Sequence, residues 1–374
     1  MMKILVTGAG GFIGKNLVST LKTISEYEVL EYHSYLELEK LESFCEECDF
    51  VFHLAGVNRP QSIDEFTEGN AHFTEKLVNY LEAKKNNSPI LFTSSIQVDL
   101  DNPYGKSKLA AESILRQHKE NTNADILIYR LPNVFGKWCR PNYNSAIATF
   151  CHNIANGLDI QINDPAREMH LVYIDDVIQE FMTACCGKGH KNGDFCFVPL
   201  TYRRNLEEIA NLIKSFPQCR SNLSIPNQSD EFVKKLYSTY LSYLPKDNFS
   251  YELLMHKDNR GSFSEFVRTI GQGQFSVNIV KPHITKGNHW HHSKHEKFLV
   301  IVGKGVIRFR NIYSEEIIEY FVSDEKFEVV DIPPGYTHSI ENIGETDMAV
   351  IIWANENFDP ENPDTYFLAV NQIE

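Results

Sequence analysis

Over the first part of the chain, short apolar runs alternate with longer stretches in which apolar residues recur every third or fourth position. KILVTG, EVLEYH, DFVFHLAG, PILFTSS and DILIYRL predict buried strands, and KNLVSTLKT, FTEKLVNYLEAKK and KSKLAAESILRQHKE predict the helices between them. Strands covered on both faces read as continuous apolar runs. Their alternation with helices implies βαβ units around a doubly wound parallel sheet. NLEEIANLIKSF and EFVKKLYSTYLSYL add further helices. After Leu244-Pro245 the pattern changes. SVNIVKP, KFLVIVG, GVIRFRNI, IIEYFVS and FEVVDIPPG are short runs broken by Gly, Pro and Asn, the signature of an antiparallel all-β sandwich or barrel. The expected organisation is an α/β domain over 1–246 and an all-β domain over 247–374.

Composition changes this picture little. At 374 residues the chain suits two cores rather than one. A formal net charge of −14 argues against a nucleic-acid partner, which needs a basic surface. Eight cysteines show no framework spacing. Cys45 and Cys48 form a C-x-x-C, but within LEKLESFCEECDF, an acidic helix with no second pair at zinc-ribbon distance. Unpaired cysteines fit a reducing cytosol. No signal peptide is visible and no apolar run is long enough to span a membrane, so a cytoplasmic protein with no membrane partner is expected.

The chemistry begins at VTGAGGFIG, which places Gly8, Gly11 and Gly14 after a strand and at the start of a helix. Glycines there permit a tight turn and let a pyrophosphate approach the helix N-terminus, as in a Rossmann domain. PYGKSKLAAE puts Tyr104 and Lys108 on one helix face. An ammonium beside a phenol stabilises the phenolate and lowers its pKa, which suits acid–base work near neutrality. FTSSIQV adds the hydroxyls of Ser94 and Ser95 at a strand end, where open α/β sheets place their sites.

Taken with HLAG (53–56), RLPNVFG (130–136) and HLVYIDDV (170–177), these motifs resemble, in order, the extended short-chain dehydrogenase/reductases over residues 2–245. These enzymes commonly act on nucleotide sugars. The resemblance implies Tyr104 as acid/base, Lys108 as its partner and ribose ligand, and Ser95, or else Ser94, as the hydroxyl that polarises the substrate carbonyl. It places cofactor contacts at Thr7, Gly8, Gly11, Phe12, Ile13 and Gly14, at Leu54, Ala55 and Gly56, and at His33, Tyr104 and Lys108. Enzymes that use NAD carry an acid at the end of the second strand. Here His33 and Ser34 fall there, with Glu31 two residues earlier, so NADPH is expected over NADH.

KGNHWHHSKHEKFLVIVGKG holds His289, His291, His292 and His295 within seven residues. Strand parity would put His289, His291 and His295 on one face and His292 on the other. The spacing of His289, His291, Glu296 and Gly303 resembles the first cupin motif, and PPGYTHSIEN resembles the second, with His338. Cupins are double-stranded β-helix, or jelly-roll, barrels. The resemblance implies a metal site of His289, His291, Glu296 and His338, a donor set that suits zinc and also Fe, Mn, Ni or Co. DNRGSFSEF and KGNHWHH also look like the dTDP-4-keto-6-deoxyglucose 3,5-epimerases, cupin enzymes that work without metal. Their base falls on His289 and their glutamine on His291, with Arg260 and Lys297 as looser substrate contacts.

The whole chain, including LYSTYLSYLP, NVFGKWC, PNYNS, KGNHWHH and PDTYFL, is similar to the bifunctional capsular-polysaccharide and O-antigen enzymes that join these two domains. That resemblance implies C3 epimerisation of a UDP-2-acetamido-2,6-dideoxy-4-hexulose in the cupin domain and NADPH-dependent reduction at C4 in the Rossmann domain. The product would be a UDP-N-acetyl-L-talosamine-type sugar on the route to N-acetyl-L-fucosamine, made by a homodimer or higher homo-oligomer. Two rivals stand beside it. One is a nucleotide-sugar 4-epimerase or dehydratase with a structural cupin; dehydratases usually place acids after the catalytic hydroxyl, and here Ile96 and Gln97 follow Ser95. The other is a non-catalytic sugar-nucleotide sensor, against which Tyr104 and Lys108 count.

Overall fold

Every residue of the strands Phe50–His53 and Ile90–Ser95 is buried, as central strands of a sheet covered on both faces must be. The structure, a computed structural model, describes residues 1–60, 62–269, 271 and 273–371. The five runs expected as strands form β1 (Met2–Thr7), β2 (Tyr27–Tyr32), β3 (Phe50–His53), β4 (Ile90–Ser95) and β5 (Ile126–Leu131). They pair in parallel in the order β2-β1-β3-β4-β5. A smaller sheet joins β6 (Asn133–Phe135), β7 (Glu168–Tyr173) and β10 (Tyr202–Asn205), while β8 (Lys191–Asn192) and β9 (Phe195–Cys196) extend the large one beyond β5.

The period of two along each strand divides the core. Ile4, Val6 and Phe52 face one way, against Leu17 and Leu21 of α1 (Phe12–Leu21) and Phe181 on the helix Ile174–Cys185. Leu5, Val51, Phe92 and Ile128 face the other way. There they meet Leu41 of α2 (Leu38–Glu47), Leu77 and Leu81 on the helix Phe73–Ala83, and Leu115 on the helix Pro103–Thr122. In chain order those three later helices are α4 (Phe73–Ala83), α5 (Pro103–Thr122) and α7 (Ile174–Cys185); between α2 and α4 lies the short α3 (Asp64–Phe66), and α6 (Ala146–Ala155) precedes α7. Each fully buried Leu or Phe contributes about 1.5–3 kcal/mol. α5 starts where the sequence dictates: the Asn102 side chain accepts from Gly105 N at 2.8 Å, Pro103 takes the first turn, and Asn123 closes the helix at φ 60°. The C-x-x-C lies on the buried side of α2 and beyond its end. Burial pushes the Cys48 thiol up to about 12 and Cys45 higher still, so neither offers a thiolate for redox chemistry.

The chain divides into two compact units, Met1–Lys214 with Lys235–Pro245, and Ser215–Lys234 with the chain from Lys246 onward. The second unit is a double-sheet β structure. One sheet runs β11 (Ser224–Ile225), β13 (Gly261–Thr269), β14 (Gly273–Val280), β21 (Met348–Ala354), β16 (Glu296–Val302) and β19 (Val329–Ile332), with β12 (His256–Asp258) beside β13. The other runs β18 (Ile317–Ser323), β17 (Lys304–Asn311), β20 (Tyr336–Asn342), β15 (Thr285–Trp290) and β22 (Tyr366–Phe367). All pairs are antiparallel except the two-residue pairing of β11 with β13. Val280, Phe298, Ile307, Phe309, Ile340, Met348 and Val350 fill the space between the sheets. The β15–β20 ladder carries a bulge: Asn288, at φ 60°, is the extra residue between the pairs Gly287–Ser339 and His289–His338. No described helix is long and apolar enough to cross a membrane.

Candidate active site and candidate metal centre

In the first unit the glycine loop follows from backbone crowding. Gly8 sits at φ 70°, and a Cβ there would lie 2.7 Å from the Ala55 nitrogen; a Cβ on Gly14 would lie 2.2 Å from the Gly8 carbonyl oxygen. Only glycine lets these backbones touch. Gly11 caps α1 without a side-chain acceptor, so the first-turn N–H groups at Phe12 and Ile13 remain available to an anion. Leu54 N and Ala55 N bond to the Thr7 carbonyl and hydroxyl at 3.2 and 3.3 Å, which sets the loop after β3 against the glycine loop. His33 lies one residue past β2. Its Nδ1 is 3.1 Å from where a Gly10 Cβ would be, and its ring stacks on Tyr35. Glu31 is drawn to Lys22, 2.6 Å away, and to His33 at 3.5 Å.

A buried chain of polar groups runs beneath this loop. Thr74 donates to Asn70 O at 2.6 Å, so its oxygen accepts from His53 Nε2, and His53 Nδ1 accepts from the Thr7 hydroxyl, both at 2.8 Å. Burial, with help from the Lys108 charge, pushes His53 down to about 3, so the imidazole is neutral and the chain of donors is consistent.

Ser95, Tyr104 and Lys108 come together at the end of β4 and the start of α5. The Ser95 hydroxyl lies near enough to the Tyr104 phenol to favour its ionised form, and the Ser95 oxygen accepts from Gln97 N at 3.2 Å. Ser94 points elsewhere: its hydroxyl donates to Glu112 at 2.5 Å, and Glu112 also holds the Arg130 guanidinium at 2.9 and 2.7 Å. The Lys108 ammonium donates to Thr93 O at 2.9 Å and lies over the Phe92 ring. Burial pushes Lys108 down to about 8, against the pull of Glu112. The sequence argument expects a lowered phenol pKa. The structure differs: burial raises Tyr104, and the nearby Ser95 hydroxyl only partly offsets it. Burial therefore favours the protonated phenol, a proton donor.

Asn70 belongs to this site and has no periodic signal in the sequence. It lies in a π-helical turn, Thr67–His72, between α3 and α4. The turn aims its amide inward, where it bonds to Val57 N and O and to the Ser107 hydroxyl at 2.9, 3.0 and 2.9 Å. A Cβ on Gly56 would lie 2.7 Å from Asn70 Oδ1 and 3.0 Å from Lys108 Nζ, so Gly56 leaves room for both.

In the second unit His289 and His338 face each other across the β15–β20 ladder, with ring centroids 4.6 Å apart. His291 follows just past β15, and Glu296 opens β16. One donor atom from each of the four lies within 4.8 Å of the others. His291 Nε2 and His338 Nε2 each approach Glu296 Oε2 at 3.5 Å. Yet His291 Nε2 and both nitrogens of His338 are buried with no well-formed hydrogen bond. Orphaned buried nitrogens around a carboxylate are costly, and a metal ion would satisfy them. The Asp364 carbonyl accepts from His291 Nδ1, which fixes the tautomer with the Nε2 lone pair turned toward the cluster. Burial alone would raise Glu296, but the imidazoles of His291 and His338 hold its carboxyl well below the usual range. Burial pushes His289 down to about 3, leaving a neutral imidazole. The donor set therefore fits a divalent cation.

The parity expectation fails beyond His291, because the strand ends at Trp290. His295 is exposed and packs on Trp353, while His292 is exposed against Trp290 and Tyr366. Lys297 turns outward to Asp331 at 2.5 Å, and Arg260 pairs with Asp258 at 2.7 Å. A cavity of about 580 Å³ adjoins His289, Glu296 and His338, with Phe298 and Ile352 on its apolar side and Lys286 on its polar side.

The NAD dependent epimerase/dehydratase family matches residues 4–194, and the polysaccharide biosynthesis C-terminal domain matches residues 256–366. The UDP-2-acetamido-2,6-beta-L-arabino-hexul-4-ose reductase of Pseudomonas aeruginosa is 46% identical over 371 residues, 99% of this chain and 100% of that protein. The crystal structure of the capsular polysaccharide assembling protein CapF from Staphylococcus aureus is 52% identical, with a TM-score of 0.94 over 99% of this chain and 100% of that one. A crystal structure of CapF with the inhibitor 3-isopropenyl-tropolone is 47% identical, with a TM-score of 0.87 and the same coverage.

Proposed function

The chain belongs to the NAD-dependent epimerase/dehydratase family, and on that premise we propose that it is a bifunctional enzyme acting on a UDP-2-acetamido-2,6-dideoxy-4-hexulose. The reductase lies within residues 1–246 and the C3 epimerase within 247–374. The observation that carries the reading is the meeting of Ser95, Tyr104 and Lys108 beside the glycine loop, in a chain 46% identical to a UDP-hexulose reductase.

For reduction, Ser95 hydrogen-bonds the C4 ketone and Tyr104 gives its proton to the oxygen as it becomes an alkoxide. A phenol kept protonated by burial suits that direction of transfer. Lys108 remains largely an ammonium at neutral pH and steadies the phenolate left behind. Gly8, Gly11 and Gly14 would let a dinucleotide pyrophosphate reach the start of α1, with Leu54, Ala55 and Gly56 in the adjoining loop that would help to hold the cofactor. A bound NADPH would supply the hydride; the absence of a free carboxylate at His33 and Ser34 would remove repulsion against its 2′-phosphate.

For epimerisation, a ketone at C4 acidifies the proton on C3. His289, His291, Glu296 and His338 would hold a divalent ion, zinc by donor type, whose chemistry is Lewis-acid polarisation of an oxygen. The related CapF takes a tropolone inhibitor, and the adjacent oxygens of a tropolone suit a metal ion. The product is a UDP-N-acetyl-L-talosamine-type sugar for capsule or O-antigen synthesis. We also infer a homodimer or higher homo-oligomer, because the edge strand β18 leaves Tyr320 and Phe321 50% and 67% exposed.

The test offers the 4-keto UDP-sugar and NADPH in deuterated water and locates deuterium by NMR. Deuterium at C3 with stoichiometric NADPH oxidation is expected. A product without C3 deuterium, or turnover with no net NADPH consumed, refutes the reading.

A further inference from the structure

We propose that Asp364 is the positioning residue of the metal centre, clasping the turn that carries His291 so that this imidazole is held on the ion. The inference rests on the metal reading above.

One residue makes both halves of the clasp. Its carboxylate accepts three successive backbone N–H groups: His292 N on Oδ1 at 2.8 Å, and Ser293 N and Lys294 N on Oδ2 at 2.8 and 2.9 Å. The Ser293 hydroxyl adds a contact at 3.2 Å. Its own carbonyl accepts from His291 Nδ1. Consecutive N–H groups make a concavity for an anion, and here the anion is supplied from 70 to 73 residues further along the chain. Gripping the carboxylate therefore fixes where the carbonyl stands, and the carbonyl fixes the ring.

The segment behind Asp364 is anchored to the other ligand strands. Phe367 and Tyr366 pair with His289 and Trp290. Leu368 N and Val370 N bond to the carbonyl and side chain of the bulge residue Asn288 at 2.9 and 3.1 Å. Thr337, the neighbour of His338, donates its hydroxyl to Leu368 O. The buried Arg310 guanidinium donates to the carbonyls of Val370 and Ala369, each at 2.8 Å. Residues 364–370 thus touch the strand of His289, the turn of His291 and the neighbour of His338. Groups that orient metal-bound histidines typically change metal affinity 10–100-fold when lost.

The experiment loads full-length protein with zinc and follows transfer of the metal to a chromophoric chelator. Asp364→Ala is expected to release zinc roughly 10–100-fold faster than wild type. Asp364→Asn, whose amide oxygen still accepts, should fall between, and Glu361→Ala, an exposed acid of the same segment, should match wild type. Cobalt(II) in place of zinc should show an altered visible absorption band in Asp364→Ala, which a loss of stability alone would not produce. Zinc release and a cobalt band both unchanged in Asp364→Ala overturn the proposal. If that variant does not fold, wild-type release from Asp364→Asn overturns it. Wild-type protein that binds no zinc overturns the clasp together with the metal reading; wild type that binds zinc, with unchanged variants, removes the clasp alone.

Discussion

Replacing Lys108 by methionine should make the cofactor-free protein respond differently to alkali. Lys108 is 4% exposed, and burial depresses its pKa from the ordinary 10.5 to about 8. At ~1.4 kcal/mol per pH unit, holding this ammonium inside the folded protein costs on the order of 3 kcal/mol at neutral pH. The folded pKa lies below the unfolded one, so between the two values the unfolded chain binds the extra proton. The penalty is therefore complete below about pH 8 and is relieved as pH rises toward 10.5. Methionine carries no such penalty. It does leave the Thr93 carbonyl without its donor, a pH-independent loss of ~1–3 kcal/mol. The net effect near pH 7 is then small, but the pH slope survives the offset. Wild-type stability minus variant stability should rise by on the order of 2 kcal/mol from pH 7 to pH 10. Urea unfolding followed by the helix signal at 222 nm reads mainly the first unit, since the second is largely β structure. Titrations common to both proteins cancel in the difference. A difference that stays flat across the range refutes the argument that Lys108 is a desolvated ammonium. The same variant should lose reductase activity, because no ammonium remains to steady the phenolate of Tyr104.

Tyr104→Phe should abolish NADPH oxidation while C3 proton exchange continues; loss of exchange in a folded variant would contradict two separate sites. NADPH should exceed NADH in kcat/KM, and a measured preference for NADH would overturn the argument from His33 and Ser34. His338→Ala should lose zinc by elemental analysis and slow C3 deuterium exchange; metal lost with exchange retained would leave the ion a structural role.

Much of the fold can be read in the sequence because covered strands write themselves as unbroken apolar runs. The five strands β1 to β5 and the late β runs follow from that pattern. The glycine loop is legible for a similar reason: backbone contact at Gly8 and Gly14 tolerates no side chain. What stays hidden depends on distant packing. Asn70 enters its site through a π turn, which no hydrophobic period announces. The raised Tyr104 phenol reflects burial, a property of the folded environment rather than of the Tyr-x-x-x-Lys spacing. Asp364 is one acid among fifty acidic residues until the fold brings it beneath His292.

The bulge at Asn288 gives β15 two phases. Lys286 and His289 are three positions apart, yet both border the same cavity, which a regular strand would forbid. Losing Asn288 would restore a regular ladder in which Lys286 and His289, then two positions apart, still share the cavity face. What the extra residue supplies is an anchor: its carbonyl and side chain hold Leu368 N and Val370 N, so the bulge ties residues 368–370 to the histidine strand without altering the cavity lining. Among related sequences, a deletion at this point would be expected to travel with changes around residues 364–370 rather than with changes in the cavity lining.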